Sequence, residues 1–346
     1  MTQSSARLST QQSSAKSSTM QRSPWSADAQ QACLHQYHQA IQAAHQHIDS
    51  VFLNTPQVSF DALNEVVGAN VLLKVETLNP IRSFKGRGTS YFVHEHVHEA
   101  KLVCASAGNF GQGLAYAGQQ QGSQVTVFAA TTANPLKLER MRQLGAQVEL
   151  VGDDFDAAKD AAKAYAREYD YRYVEDGKEA EVTAGAGTLG LELSRHADPL
   201  DVVLVPLGNG ALLNGIGLWF KANDVPTKII AVVAAGAPAM DDSWRAGEVI
   251  NADTVSTIAD GIAVRKPVPE ALELMQLSTD DVLQVSDEDI LNAMKLAQLH
   301  AGLVLEPAGA AGLAALLAYP NKFAGQHIAT PLCGSNVTEA QLQAWF

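Results

Sequence analysis

The feature that most constrains this chain is a repeated alternation of short apolar runs with longer segments of helical period. From residue 102 the pattern reads strand (102–105), helix (111–121), strand (125–130), helix (135–144), strand (147–151), helix (155–169) and strand (173–175). The last of these helices is expected to turn Ala157, Ala161, Ala164 and Tyr165 to one face. A second series follows a Gly/Thr/Ala-rich stretch at 182–189, with strands at 202–205 and 229–234 around a helix at 212–222. Helices at 287–300 and 309–318 and a strand near 328–332 complete it. Ahead of both series, the spacing predicts a helix over 27–51, a strand at 72–76 and a helix from Lys85 to about 99. Strands alternating with helices of this length are joined by crossovers and build parallel sheets. The chain is therefore expected to be α/β, with two open sheets and a cleft between them, and such folds place ligands at the carboxyl ends of strands.

Charge narrows the partners. Against 37 Asp and Glu there are 24 Lys and Arg, a formal charge of −13. That field repels polyanions, so neither nucleic acid nor an anionic membrane is expected to bind, and any anionic ligand must be held by local donors. No apolar stretch is long and clean enough to span a bilayer. Cys33, Cys104 and Cys333 are odd in number, far apart and form no CxxC. This pattern suits a reducing, cytoplasmic setting and neither a disulfide framework nor a zinc site. Residues 1–28 are Ser/Gln-rich without an apolar core, which reads as a disordered tail and not a signal peptide.

Five short motifs punctuate the alternation. Ser83-Phe84-Lys85-Gly86-Arg87-Gly88 puts a lysine between a strand and a helix start, where the helix field and partial burial favour a reactive amine. Ser106-Ala107-Gly108-Asn109-Phe110-Gly111 follows a strand and opens a helix, so its backbone N–H groups form an anion site suited to a carboxylate. Gly208-Asn209-Gly210-Ala211-Leu212 has the same setting and suits a phosphate. It is neither the dinucleotide G-x-G-x-x-G pattern nor a P-loop. Leu305-Glu306-Pro307-Ala308-Gly309-Ala310 starts a helix, and Cys333-Gly334-Ser335-Asn336 ends a strand. Singly, each has a bland alternative: a solvated lysine, an ordinary turn, a helix-start acid, a core thiol. The histidines of the 94–99 run HEHVHE read as a solvated helix face, because His96 cannot share a face with His94 and His98.

In order and content, the five motifs together resemble those of the fold-type II pyridoxal phosphate (PLP) enzymes, most closely the threonine/serine dehydratase branch, over roughly residues 50–340. The resemblance implies a tryptophan synthase β-like fold of two α/β domains with the cofactor in the cleft. Residues 29–88 and 181–346 would form the large PLP-binding domain, and 89–180 the small one. It makes Lys85 the catalytic Schiff-base lysine. Ser83, Ser106, Ala107, Gly108, Asn109 and Phe110 would contact the substrate, with Asn109 also beside the cofactor. Phe84, Gly208, Asn209, Gly210, Ala211, Leu212 and Glu306 would hold the cofactor, and Cys333 would face its ring nitrogen. Lys74 and Glu76 resemble the strand that precedes the family's lysine.

The departures are informative. Arg82 and Phe110 stand where many members have Gly and His, and Asn209 and Ala211 replace two glycines of the phosphate loop. Ala107 replaces the serine that related serine racemases use as an acid/base, which favours elimination over racemisation. The segment 232–237 lacks the glutamate through which some relatives hold a divalent cation, so no metal is expected. The implied activity is an ammonia-lyase acting on L-threonine, L-serine or a related β-hydroxy amino acid, in a homodimer or homotetramer. A cysteine-synthase-like β-replacement enzyme, an amino-acid racemase and a catalytically silent PLP-binding protein are the alternatives. The side-chain pocket is expected around residues 236–244.

Overall fold

The computed structural model describes residues 25–346. Its strands are β1 (Gln57–Val58), β2 (Asn70–Val75), β3 (Lys101–Ala105), β4 (Gln124–Ala129), β5 (Gln147–Leu150), β6 (Arg172–Tyr173), β7 (Val202–Pro206), β8 (Lys228–Ala234), β9 (Asp281–Val285) and β10 (His327–Leu332). Its helices are α1 (Ala27–His47), α2 (Asp61–Val67), α3 (Lys85–Glu95), α4 (Asn109–Gln121), α5 (Pro135–Gln143), α6 (Phe155–Tyr169), α7 (Ala180–Leu193), α8 (Ala211–Ala222), α9 (Ala239–Ala246), α10 (Pro269–Ser278), α11 (Asp287–Ala301), α12 (Pro307–Ala318), α13 (Pro320–Phe323) and α14 (Glu339–Trp345). The expected tail at 1–28 lies almost wholly outside the described residues, and its last two residues already belong to α1.

The strands form two sheets, ordered β1-β2-β10-β7-β8-β9 and β5-β4-β3-β6. Every pairing is parallel except β1 with β2. Parallel strands are covered on both faces, and alternate residues feed separate cores. Val203, Val205, Ile229 and Ala231 enter one core of the larger sheet, while Val202, Leu204, Ile230 and Val232 enter the other. In the smaller sheet Leu102 and Cys104 face one side, and Val103 and Phe128 the other.

Each sheet reverses its order once. In the smaller sheet the chain runs outward from β3 through β4 to β5, then returns to β6 on the far side of β3. In the larger sheet it runs from β7 through β8 to β9, and β10 returns beside β7. Loops leaving neighbouring strands part in opposite directions at such switch points and open a crevice at the carboxyl edge. The four loops at these crevices follow β3, β6, β7 and β10.

Two local expectations are corrected, the face of α6 and the end of α3. The Gly/Thr/Ala stretch, which the spacing left unassigned, is the buried helix α7. Its small residues let helices touch: a Cβ at Gly185 would lie 2.6 Å from the Gly88 Cα, and one at Gly215 in α8 would lie 2.5 Å from the Gly187 nitrogen. In α6 the buried stripe is Ala158, Ala162 and Ala166; Ala157 and Ala164 are exposed. Helix α3 stops at Glu95, so His94 and His98 do not share a helical face, and His94 stacks on His47 at 4.2 Å. Among the described residues no helix is long and apolar enough to cross a membrane, and no group of three or more His, Cys, Asp or Glu side chains could hold a metal ion.

Candidate active site

The four crevice loops and the start of α3 enclose a cavity of about 580 Å³. Lys85 is the first residue of α3, and its Nζ projects into this space 2.6 Å from Asp176 Oδ2, with both side chains largely buried. The ammonium also lies 4.7 Å from the Phe84 ring centre and 6.0 Å from that of Phe110. Two residues further on, Arg87 is wholly buried and donates to both Glu76 and Glu192, while Lys74 donates to Glu192 at 2.5 Å. This network of two cations and two carboxylates anchors the first turn of α3 and so the root of Lys85.

The loop after β3 opens α4. Ser106 Oγ accepts from the backbone N–H of Gly108 (3.2 Å) and Gly111 (3.0 Å), which bends the loop around the cavity wall. Asn109 is tied to protein on both sides of its amide: its Nδ2 donates to Glu306 Oε1 at 2.6 Å, and its Oδ1 accepts from Asn336 Nδ2 at 2.8 Å. Glu306 also accepts from the Asn336 backbone N–H at 3.0 Å. Burial pushes the Glu306 carboxyl above its usual range, against the opposing pull of Lys137.

The loop after β7 opens α8 with Gly210 at φ 96, a left-handed turn that glycine makes without strain. The first turn of α8 leaves backbone N–H groups without intrahelical acceptors. The loop after β6 packs against this one: Gly177 has φ 86, and a Cβ there would sit 2.2 Å from the Asn209 carbonyl oxygen. After β10, Cys333 is buried and its Sγ donates to the Ala308 carbonyl at 3.6 Å. Burial, and then the Glu306 charge, push the thiol well above its ordinary range, so it stays neutral.

Phe84, Lys85, Ser106 through Phe110, Gly208 through Leu212, Glu306 and Cys333 all line the cavity. Ser83 does not. It is fully buried, and its Oγ donates to the Cys333 carbonyl (3.1 Å) and accepts from the Lys85 N–H (3.4 Å), so it braces the lysine from behind the wall. The expected side-chain pocket at 236–244 is not on the cavity either; the segment 253–266 is. From that segment Arg265 pairs with Asp154 (3.1 Å) and with Asp156, and Asp260 pairs with Lys137 (2.5 Å). Asp176 is the residue that motif reading missed. It stands three residues past the end of β6, so the rule that ligands gather at strand carboxyl ends pointed to it.

A lysine in a cleft, between two loops that each open a helix at a strand's carboxyl end, is the arrangement of an α/β enzyme site. The profile of the family described as "Pyridoxal-phosphate dependent enzyme" matches residues 48–334, and the chain belongs to that family. The chain is 35% identical to an L-threonine ammonia-lyase of Thermotoga maritima over 302 residues, covering 86% of this chain and 75% of that one. It is 31% identical to an L-threonine dehydratase (biosynthetic) of Lactococcus lactis, covering 88% and 75%. Among solved structures, the processed form of threonine deaminase isoform 2 from Solanum lycopersicum superposes with a TM-score of 0.85 at 28% identity, covering 94% of this chain and 89% of that one. Maize serine racemase superposes with a TM-score of 0.82 at 25% identity, covering 88% and 95%.

The residues present fit pyridoxal phosphate. The cavity volume is that of a small-molecule site. One wall carries a primary amine, another the glycine-bent start of α8 where a Cβ on Gly208 would meet the Gly261 carbonyl oxygen at 2.8 Å, and a third a neutral thiol.

Proposed function

We propose that the chain is a PLP-dependent ammonia-lyase of the dehydratase type, which removes water and then ammonia from L-threonine, L-serine or a related β-hydroxy amino acid to give a 2-oxo acid. The observation that carries this reading is the placement of Lys85 Nζ in one cavity with the loops that start α4 and α8. The names of the ammonia-lyase and dehydratase relatives support the same reading. The division into a large domain (29–88 and 181–346) and a small one (89–180) is supported by the separation of the strands into two sheets.

Pyridoxal phosphate, when bound, supplies the electron sink that makes the Cα proton of an amino acid removable. Lys85 would hold it through its side-chain amine, and the same amine stands where it would take the Cα proton of the substrate. Asp176 holds the Lys85 amine in place. The backbone N–H groups of Asn109 and Phe110 at the start of α4 would bind the substrate carboxylate, those of Ser106 and Gly108 being taken by the Phe128 carbonyl and Ser106 Oγ, and the N–H groups at the start of α8 would bind the phosphate. Cys333 would offer the cofactor ring a neutral thiol and not a carboxylate. Ala107 offers no proton on the cavity wall, which favours elimination over racemisation. The fold family and the reaction suit a cytoplasmic homodimer or homotetramer.

The test is a panel of amino acids scored for 2-oxo acid and ammonia release, with and without added PLP, on the wild type and Lys85→Ala. Release from threonine or serine, lost together with the visible cofactor absorbance in the variant, is the expected result. Turnover and absorbance both retained by Lys85→Ala would refute the assignment.

A further inference from the structure

Arg82 is the departure in the lysine motif that the cleft does not use. Its φ is 52, in the left-handed region that suits glycine, yet it carries a long cationic side chain. With Arg140, Gln112, Leu144 and Asn336 it lines a second cavity of about 230 Å³. Among the described residues, neither Arg82 nor Arg140 has a carboxylate within ion-pair distance, although this chain has an excess of acids. Arg140 gives one N–H to Asn336 Oδ1. Burial, and then the positive charge of Arg82, push the Arg140 guanidinium below its usual range.

Gln112 adds an independent sign. It is 1% exposed, and its Nε2 has no hydrogen-bond acceptor. A buried N–H without an acceptor is costly, and it lies in the same recess as two cations that have no carboxylate partner, Arg82 exposed at its rim and Arg140 half-buried. A single ligand resolves both: an anion that accepts from the amide and from two planar forks.

We propose that the Arg82–Arg140–Gln112 cavity is a binding site for a small oxyanion, phosphate or carboxylate, acting as an effector. Asn336 links it to the cleft. Its Oδ1 accepts from Arg140, its Nδ2 donates to Asn109 Oδ1, and its backbone N–H donates to Glu306. An anion that draws on Arg140 thus bears on the loop proposed to hold the substrate carboxylate. The binding itself does not depend on which reaction the cleft performs.

The experiment uses the PLP-loaded protein, so that the phosphate loop of the cleft is filled. Inorganic phosphate and 2-oxobutyrate are titrated separately by calorimetry at matched chloride, against wild type, Arg82→Gly and Arg140→Gln. Glycine suits the φ of residue 82, so that variant keeps its fold. Saturable one-to-one binding, weakened roughly tenfold or more in each variant, is expected, and the tighter of the two titrants names the source of the oxyanion. No saturable binding to wild type, or equal binding to all three proteins, overturns the site. The bound anion should also shift the amino-acid KM of wild type but not of Arg82→Gly; an unmoved KM overturns the link through Asn336.

Discussion

Replacing Arg87 with methionine tests the electrostatic root of the site. The guanidinium is fully buried and donates to Glu76 (2.9 and 2.9 Å), Glu192 (2.7 and 3.0 Å), Thr188 (3.0 Å) and Thr55 (3.2 Å). Methionine fills much of the same volume but leaves Glu76 and Glu192 to share Lys74. Removing one partner of a buried charge set typically costs about 3–5 kcal/mol, because the remaining charges cannot be solvated. With an unfolding entropy of about 2.1 cal/mol/K per residue over roughly 320 residues, that converts to a Tm lower by about 4–7 °C. The assay is thermal unfolding of the cofactor-free protein followed by circular dichroism at neutral pH. The double variant Arg87→Met/Glu192→Met returns the network to one cation and one carboxylate, and it should be more stable than Arg87→Met alone. A Tm for Arg87→Met within about 1 °C of wild type, or a double variant less stable than the single one, would refute the reasoning.

The same network predicts an acid limb of stability. Burial works to raise the Glu192 carboxyl, but Arg87, and then Lys74, outweigh it and hold it at about 2 against an ordinary value of 4.5. A depressed carboxylate stabilises the fold above its unfolded value and loses that contribution as pH falls. Denaturant midpoints should therefore drop from about pH 4.5 toward pH 2, by less in Glu192→Gln. Gly177→Ala places a Cβ 2.2 Å from the Asn209 carbonyl at φ 86 and should weaken PLP binding roughly 10- to 100-fold, read by cofactor titration. Asp176→Asn removes the charged partner of Lys85; kcat should fall roughly tenfold or more while bound cofactor stays stoichiometric, and an unchanged kcat would count against its positioning role. Ala107→Ser puts a hydroxyl on the cavity wall, and racemisation of L-serine should become detectable by chiral chromatography.

Much of the fold was legible because the parallel strands are buried on both faces, so their apolar runs stand out between turns. The elements that escaped notice have weaker patterns. β1 has two residues, and α9 and α10 lie in a stretch where glycine, proline and charge interrupt the helical period. The α7 stretch went unassigned because glycine argues against a helix, whereas here it is what lets α7 approach α3 and α8. The α6 face was misjudged because alanines fill so much of that helix, and period alone does not choose among them.

By itself the sequence determined the α/β class, the lysine at a strand–helix junction and the two helix-start loops, since these depend on local backbone chemistry and on spacing along the chain. Only the tertiary structure decided which side chains meet. Asp176 reaches Lys85 across 91 positions, Asn336 joins Asn109 across 227, and Ser83 turns behind the wall instead of into the cavity. Those pairings follow from where each sheet reverses its strand order, which brings distant loops to one crevice, and no local pattern records which loops will face each other there.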